Sequence, residues 1–419
     1  MTYENLSEEL FKPRFDFLET SVISNSGCPL PKLSRVDLAY GFEKDFYRPI
    51  HRFLWTLGGG NPLDIDLALS SICVSKNPRS RQECLDTVKE YGAGNWIYEF
   101  CTIAQRRVQI AHDAIEKGDF VQASHQYRMA SRYFAIAAYP NLKGDSQASN
   151  ADVLCRRYYK EMYKVDPNSL ELREETFLVD NKKVTGYLHL PTNEKQLPCV
   201  ICVCSYGNSI ANYYRIYNDF FKPKNIAMFV IEMPGIGACE KLNLNDHYSA
   251  FVEKAIDHLA SLPYVDAKRI ALMGGDIGAA SCLRACILQP NKVRAIILNR
   301  PYVHSIFSDK EYLDSMPLCL RSSFCNRLNL DASNWDILTP RFKIFSLKEQ
   351  GILSNSNQCT VPTLLCAIKD SYVSNADLDL MKHNFRDLTV YTHDNVGYAS
   401  FAKDAVFKIV SFLEEKLGI

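Results

Sequence analysis

The stretch Arg269-Ile270-Ala271-Leu272-Met273-Gly274-Gly275-Asp276-Ile277-Gly278-Ala279-Ala280 restricts the fold more than any other part of this chain. A short apolar run closing on glycines, then small residues and an apolar stretch to Leu288, predicts a buried strand that turns sharply into a helix. Gly274 and Gly278 permit the strained turn and close helix-to-strand packing, which lifts the central residue above the sheet edge. In the G-x-S-x-G form of this elbow the central residue is serine. Here it is Asp276.

Further short apolar runs surround the elbow: Cys199 to Cys204, Ala227 to Glu232, Ala295 to Leu298, Thr363 to Ala367 and Leu388 to Tyr391. Runs of this kind, apolar on both faces and separated by amphipathic helices such as Phe251 to Leu262 and Phe401 to Leu417, are what a mainly parallel sheet requires. Glu174 to Val179 and Lys183 to Leu190 flank Asp180-Asn181 and predict a hairpin. The elbow on such a sheet predicts an α/β-hydrolase fold over residues 169–419. The stretch Ser305 to Ser354 is too long for a simple loop and predicts a partly helical insertion over the site.

Before Asp166-Pro167-Asn168 the pattern is helical, predicting an N-terminal helical domain over residues 1–168. Phe46, Ile50, Phe53, Leu54 and Leu57 recur at helical steps. The runs Trp96 to Ile115 and Phe120 to Tyr139 keep the same period, with Lys117-Gly118-Asp119 supplying a stop and a new N-cap. Gly58-Gly59-Gly60-Asn61-Pro62 ends one helix and begins another. A glycine triplet also suits a phosphate cradle, but the helical segment before it favours a turn.

Lys and Arg number 48 against 48 Asp and Glu, so neither nucleic acid nor an anionic membrane is an expected partner. The N-terminus lacks a basic-then-apolar secretion layout, and no apolar run is long enough to span a bilayer. The 15 cysteines are odd in number. Cys199, Cys202, Cys204, Cys282 and Cys286 sit in apolar segments and read as buried, reduced thiols of a cytoplasmic protein. No metal and no cofactor is expected.

Chain order places an acid after a later strand and a histidine after the last one, giving Asp370 and His393 as partners of Asp276. The alternative is that Asp370 caps the helix beginning near Asn375 and His393 is a surface turn residue. Oxyanion donors are expected from the backbone of Ile277 and of Tyr206-Gly207 in the loop Ser205-Tyr206-Gly207-Asn208. Asn208, Arg300 and His304 are candidates to line the site. The aspartate leaves the chemistry open. Attack by a carboxylate displaces halide or opens an epoxide through an alkyl-enzyme ester, whereas with a carboxylic ester it forms a high-energy anhydride. A base for water and a non-catalytic relic are the other roles. Ile277 stands where dehalogenases and epoxide hydrolases commonly carry tryptophan.

The chain resembles the FrsA family of fermentation-respiration switch proteins over nearly its whole length. The resemblance rests on Asn5-Leu6-Ser7-Glu8-Glu9-Leu10-Phe11-Lys12-Pro13-Arg14-Phe15, on Leu85-Asp86-Thr87-Val88 through Tyr91, and on Gly94-Asn95-Trp96-Ile97-Tyr98-Glu99. It continues in Ala138-Tyr139-Pro140-Asn141-Leu142-Lys143, in Ile226-Ala227-Met228 through Met233-Pro234-Gly235-Ile236-Gly237, and in Ser346-Leu347-Lys348 with Gln350-Gly351. It implies a helical N-terminal domain covering a hydrolase core and hydrolysis of a small carboxylic ester. It also implies regulatory binding to enzyme IIA(glucose) of the bacterial phosphotransferase system. Arginine can stand at the elbow in this family, so Asp276 departs from serine and from that variation alike. His304 matches a family position after the strand following the elbow, as a site-mouth residue or a structural hydrogen-bonding one.

Overall fold

The computed structural model describes residues 43, 45–170, 172–315, 318–330, 335–354, 357–368, 374–393 and 398–419, all within one compact unit, Arg35–Ile419. Helices come first: α1 (Arg52–Leu57), α2 (Pro62–Val74), α3 (Trp96–Glu116), α4 (Phe120–Ala138) and α5 (Ser146–Val165). Their ends follow local chemistry. Asn61 accepts from the Leu63 N–H with Pro62 in the first turn of α2, and Asn95 accepts from Ile97 and Tyr98 at α3. Gly118, at φ +74°, takes the chain out of α3, and Asp119 caps α4 by accepting from Gln122.

One helical expectation fails. The apolar period from Phe46 to Leu57 is not a single helix, because α1 starts only at Arg52. Pro49 has no N–H to donate and disfavours helical backbone at Arg48. The N–H groups of Tyr47 and Arg48 donate instead to the Asp86 carboxylate, at 2.7 and 3.0 Å.

The sheet contains β1 (Arg173–Val179), β2 (Lys182–His189), β3 (Leu197–Val203) and β4 (Ala227–Ile231). Then follow α6 (Ala250–Ala260), β5 (Val265–Gly275), α7 (Asp276–Leu288) and β6 (Ala295–Asn299). Four helices fall in the expected insertion: α8 (Ser305–Ser308), α9 (Lys310–Ser315), α10 (Leu318–Arg327) and α11 (Trp335–Phe342). The chain closes with β7 (Thr363–Ile368), α12 (Asn375–Asn384), β8 (Leu388–His393) and α13 (Tyr398–Leu417). The eight strands lie in the order β1-β2-β4-β3-β5-β6-β7-β8. β2 is antiparallel to β1 and to β4, and all other pairs are parallel. Left-handed Asp180 and Asn181, at φ +48° and +60°, close the hairpin as its two-residue turn demands.

Alternation along the strands builds two cores. Ile201, Phe229 and Leu272 face a core shared with Leu283 of α7 and with Phe307, Phe324 and Phe345 of the insertion. Val200, Cys202, Val230 and Ala271 face the other, which the sheet shares with Phe100, Tyr133 and Tyr159 of the N-terminal helices and with Ile409 and Leu413 of α13. The helical layer therefore buries its apolar stripe directly on the sheet. Among the described residues no cysteine forms a disulfide, and all but Cys73 are buried. Among the described residues no helix is long and apolar enough to cross a membrane.

At the end of β5 the packing is backbone against backbone. A Cβ on Gly278 would stand 2.8 Å from the Val203 carbonyl oxygen and 2.9 Å from that of Cys204, and one on Gly274 2.6 Å from the Ala279 nitrogen. Gly278→Ala is therefore expected to destabilise the protein by about 2 kcal/mol or more in urea unfolding, because main-chain atoms have nowhere to move. Gly92→Ala, with nothing within 4 Å of the added methyl, should change stability by less than about 0.5 kcal/mol.

Candidate active site

Two neighbouring parallel strands each end in a left-handed residue: Asp276 after β5, at φ +52°, and Arg300 after β6, at φ +49°. Aspartate tolerates this conformation better than bulky residues, since its short polar side chain bonds locally. The two side chains meet. Arg300 Nη2 lies 3.2 Å from Asp276 Oδ1 and 3.3 Å from Oδ2, and Ser205 Oγ, just past β3, donates to Oδ2 at 3.1 Å. The Arg300 N–H donates to the Cys366 carbonyl of β7 at 2.8 Å, and the Tyr302 N–H to the Asp276 carbonyl at 3.2 Å. Burial pushes the Asp276 carboxyl above its usual range, with Arg300 and then Ser205 opposing that rise.

This carboxylate lines a cavity of about 120 Å³. The sheet contributes Asp276, Arg300 and the loop from Ser205 to Ser209, and the insertion contributes Leu320. The helical layer supplies the rest of the wall, chiefly His51, Trp55, Trp96, Arg132 and Asp152. Trp55 and Trp96 pack edge to face at 6.2 Å, giving a rigid aromatic side. Burial pushes the His51 imidazole down to about 4, and Arg300 pushes it the same way. It is neutral at physiological pH.

The structure gathers some of the residues singled out from sequence and separates others. Asp276, Arg300, Tyr206, Gly207 and Asn208 share the cavity, and Ile277 is buried directly behind the elbow. Tyr206 Oη donates to the Pro234 carbonyl at 3.1 Å. His304 is not among the lining residues; its Nδ1 lies 2.8 Å from Ser346 Oγ and 3.2 Å from Ser308 Oγ. His393 ends β8 and is not in the lining either. Its Nδ1 is 3.3 Å from Tyr391 Oη and 3.9 Å from Asp404, its Nε2 is buried without a hydrogen-bond partner, and its ring packs near Phe401. Asp370 lies outside the described residues. The cap of α12 is Ser374, which accepts from the Asp377 N–H.

His51, Arg132 and Asp152 were not legible as site residues. They come from helices remote in sequence, and no short motif marks them. The glycine triplet at 58–60 was the available signal for Arg132, whose guanidinium lies against it.

A family model described as esterase FrsA-like matches residues 1–417. Esterase FrsA of Yersinia pestis (strain Pestoides F) and that of Yersinia pseudotuberculosis serotype O:1b (strain IP 31758) are each 34% identical over 367 residues, covering 87% of this chain and 87% of theirs. Among solved structures, 2,6-dihydroxy-pseudo-oxynicotine hydrolase superposes with a TM-score of 0.69 at 15% identity, covering 87% of this chain and 95% of that one. Wild-type AbyA5 does so with a TM-score of 0.65 at 16% identity, covering 84% and 89%. At such identities the likeness concerns the fold, which is that of the α/β hydrolases.

Two further carboxylates, Asp152 of the wall and Glu232, are buried. Glu232, following β4, accepts the Ala238 N–H at 2.9 Å inside a loop so tight that a Cβ on Gly237, at φ +54°, would stand 2.0 Å from its Oε2. Asp152 pairs with Arg156 at 2.9 Å. Burial and then the charge of Asp152 push Glu232 up to about 7. A carboxyl raised on folding favours the native state at low pH, and that contribution is lost as pH rises from its unfolded value of 4.5 through 7. Glu232→Gln keeps the acceptor for Ala238 and removes the titration. Its Tm relative to wild type should be higher at pH 8 than at pH 5 by roughly a few degrees, read by calorimetry at both pH values.

Proposed function

The chain belongs to the FrsA-like esterase family, and from that premise we propose that its cavity hydrolyses a small ester-type substrate with Asp276 as the base for water. One observation carries this: the carboxylate at the tip of the elbow opens into the same cavity as the loop Ser205 to Asn208. Direct attack by Asp276 on an ester would give an anhydride, so the carboxylate serves better as a proton acceptor. Water adds to the carbonyl carbon while its proton passes to Asp276. The oxyanion meets the N–H groups of Tyr206 and Ile277, and on collapse the departing alkoxide takes the proton back, leaving acid and alcohol. Arg300 and Ser205 hold the carboxylate still. The neutral His51 N–H is suited to polarise the carbonyl without charging.

A second arrangement has its own observation. Ser205 Oγ donates to Asp276 at 3.1 Å, so Ser205 attacking with Asp276 as its base is the competing route. The test is hydrolysis of p-nitrophenyl acetate, followed by intact mass and by single turnover in oxygen-18 water. Asp276→Asn should lower kcat by about 100-fold or more, and His51→Ala by roughly tenfold, with His393→Ala costing less than either. If His393→Ala equals Asp276→Asn, the set Asp276, Asp370 and His393 replaces this assignment. An acetyl group trapped on Ser205 would move the nucleophile there, and label entering Asp276 would make the aspartate the nucleophile. Activity should fall on the acid side, as protonation of Asp276 removes the base.

A further inference from the structure

Arg132, on α4, is 2% exposed and lines the cavity. Its Nη2 donates to the Ala211 carbonyl, and its Nε has no hydrogen-bond partner. Among the described residues no carboxylate stands within ion-pair distance of it. The acids that share its cavity are committed elsewhere, Asp276 to Arg300 at 3.2 Å and Asp152 to Arg156 at 2.9 Å. Burial lowers the guanidinium only to about 10, so it stays charged at neutral pH. An enclosed cation without an acid costs several kcal/mol unless something else compensates it. Its seat is built for it. A Cβ on Gly58 would lie 2.2 Å from Nη2 and 2.6 Å from Cζ, so this glycine makes room for the guanidinium.

We propose that Arg132 is the anchor for a carboxylate carried by the ligand of this cavity, so that the substrate is a small monoanion in which an acid group accompanies the scissile ester. Asp276 faces Arg300, Asp152 faces Arg156, His51 is neutral, and the ligand's carboxylate answers Arg132. A space of about 120 Å³ suits a short acid. Cavities of similar size, ~150 Å³, take up benzene. Trp55 and Trp96 cover its aliphatic part. The idea rests on reading this cavity as the substrate site, but its test needs no turnover.

Isobutyrate and the isosteric neutral isobutyramide are titrated into the full chain, with fluorescence of the cavity tryptophans as readout. A charge-assisted bond to a buried guanidinium should make isobutyrate the tighter ligand by about tenfold or more. Arg132→Gln, shown folded by circular dichroism, should erase that difference. Equal affinities in the wild type, no isobutyrate binding in the millimolar range, or a preference that survives Arg132→Gln would each overturn the proposal. Should Arg132→Gln fail to fold, Arg132→Lys decides. It retains the charge without the planar fork, so isobutyrate should bind severalfold more weakly, and unchanged affinity counts against the anchor. Isobutyrate selectivity without any ester turnover would refute the base role of Asp276 and leave the anion site standing.

Discussion

The contact on which the site depends is the approach of Gly278 to the carbonyls of Val203 and Cys204. It lets α7 start directly over the end of β3, within 2.9 Å of its backbone for any added methyl. With the helix so close, the residue linking β5 to α7 has no extended conformation available and turns left-handed at φ +52°. Asp276 thereby projects beside Ser205. One strand further on, Arg300 makes a second left-handed turn at φ +49° and returns its guanidinium to the same point. Two strained residues on adjacent strands are held by the interaction between their side chains.

That pairing governs the electrostatics of the cavity. Burial raises the Asp276 carboxyl, whereas Arg300 and Ser205 favour its ionised form. The same guanidinium discourages protonation of His51, which remains a donor and acceptor without charge. On the sheet side of the cavity Asp276 and Arg300 thus answer each other. On the helical side, Arg132 has no acid within ion-pair distance among the described residues.

How far the sequence could be read follows from how local each cause is. Gly118 and Asp119, Asp180 and Asn181, and the glycines of the elbow act on their own backbone, so the helix ends, hairpin and elbow were legible. The alternation in Cys199 to Cys204 likewise marked a strand buried on both faces. Periodicity misled at Phe46 to Leu57, where Pro49 interrupts what the apolar spacing continues. The site was legible only in its sheet half. His51, Arg132 and Asp152 reach the cavity through tertiary packing of the helical layer, and nothing in their neighbours announces it. His304 matched a motif position yet binds Ser346 and Ser308 outside the lining.

The division between the two halves explains why an aspartate can stand at the elbow at all. The turn is built by Gly274 and Gly278 with main-chain atoms, so its geometry does not depend on the side chain at 276. What a residue there can do is set by its surroundings. A serine would face Arg300 without a charge to offer it, whereas an aspartate pairs with that cation at 3.2 Å, and a serine hydroxyl is present one strand away at Ser205. Asp276 and Arg300 therefore form one chemical unit. The scaffold fixes where the unit sits, and the helical layer lines the same cavity through Arg132, Trp55 and Trp96.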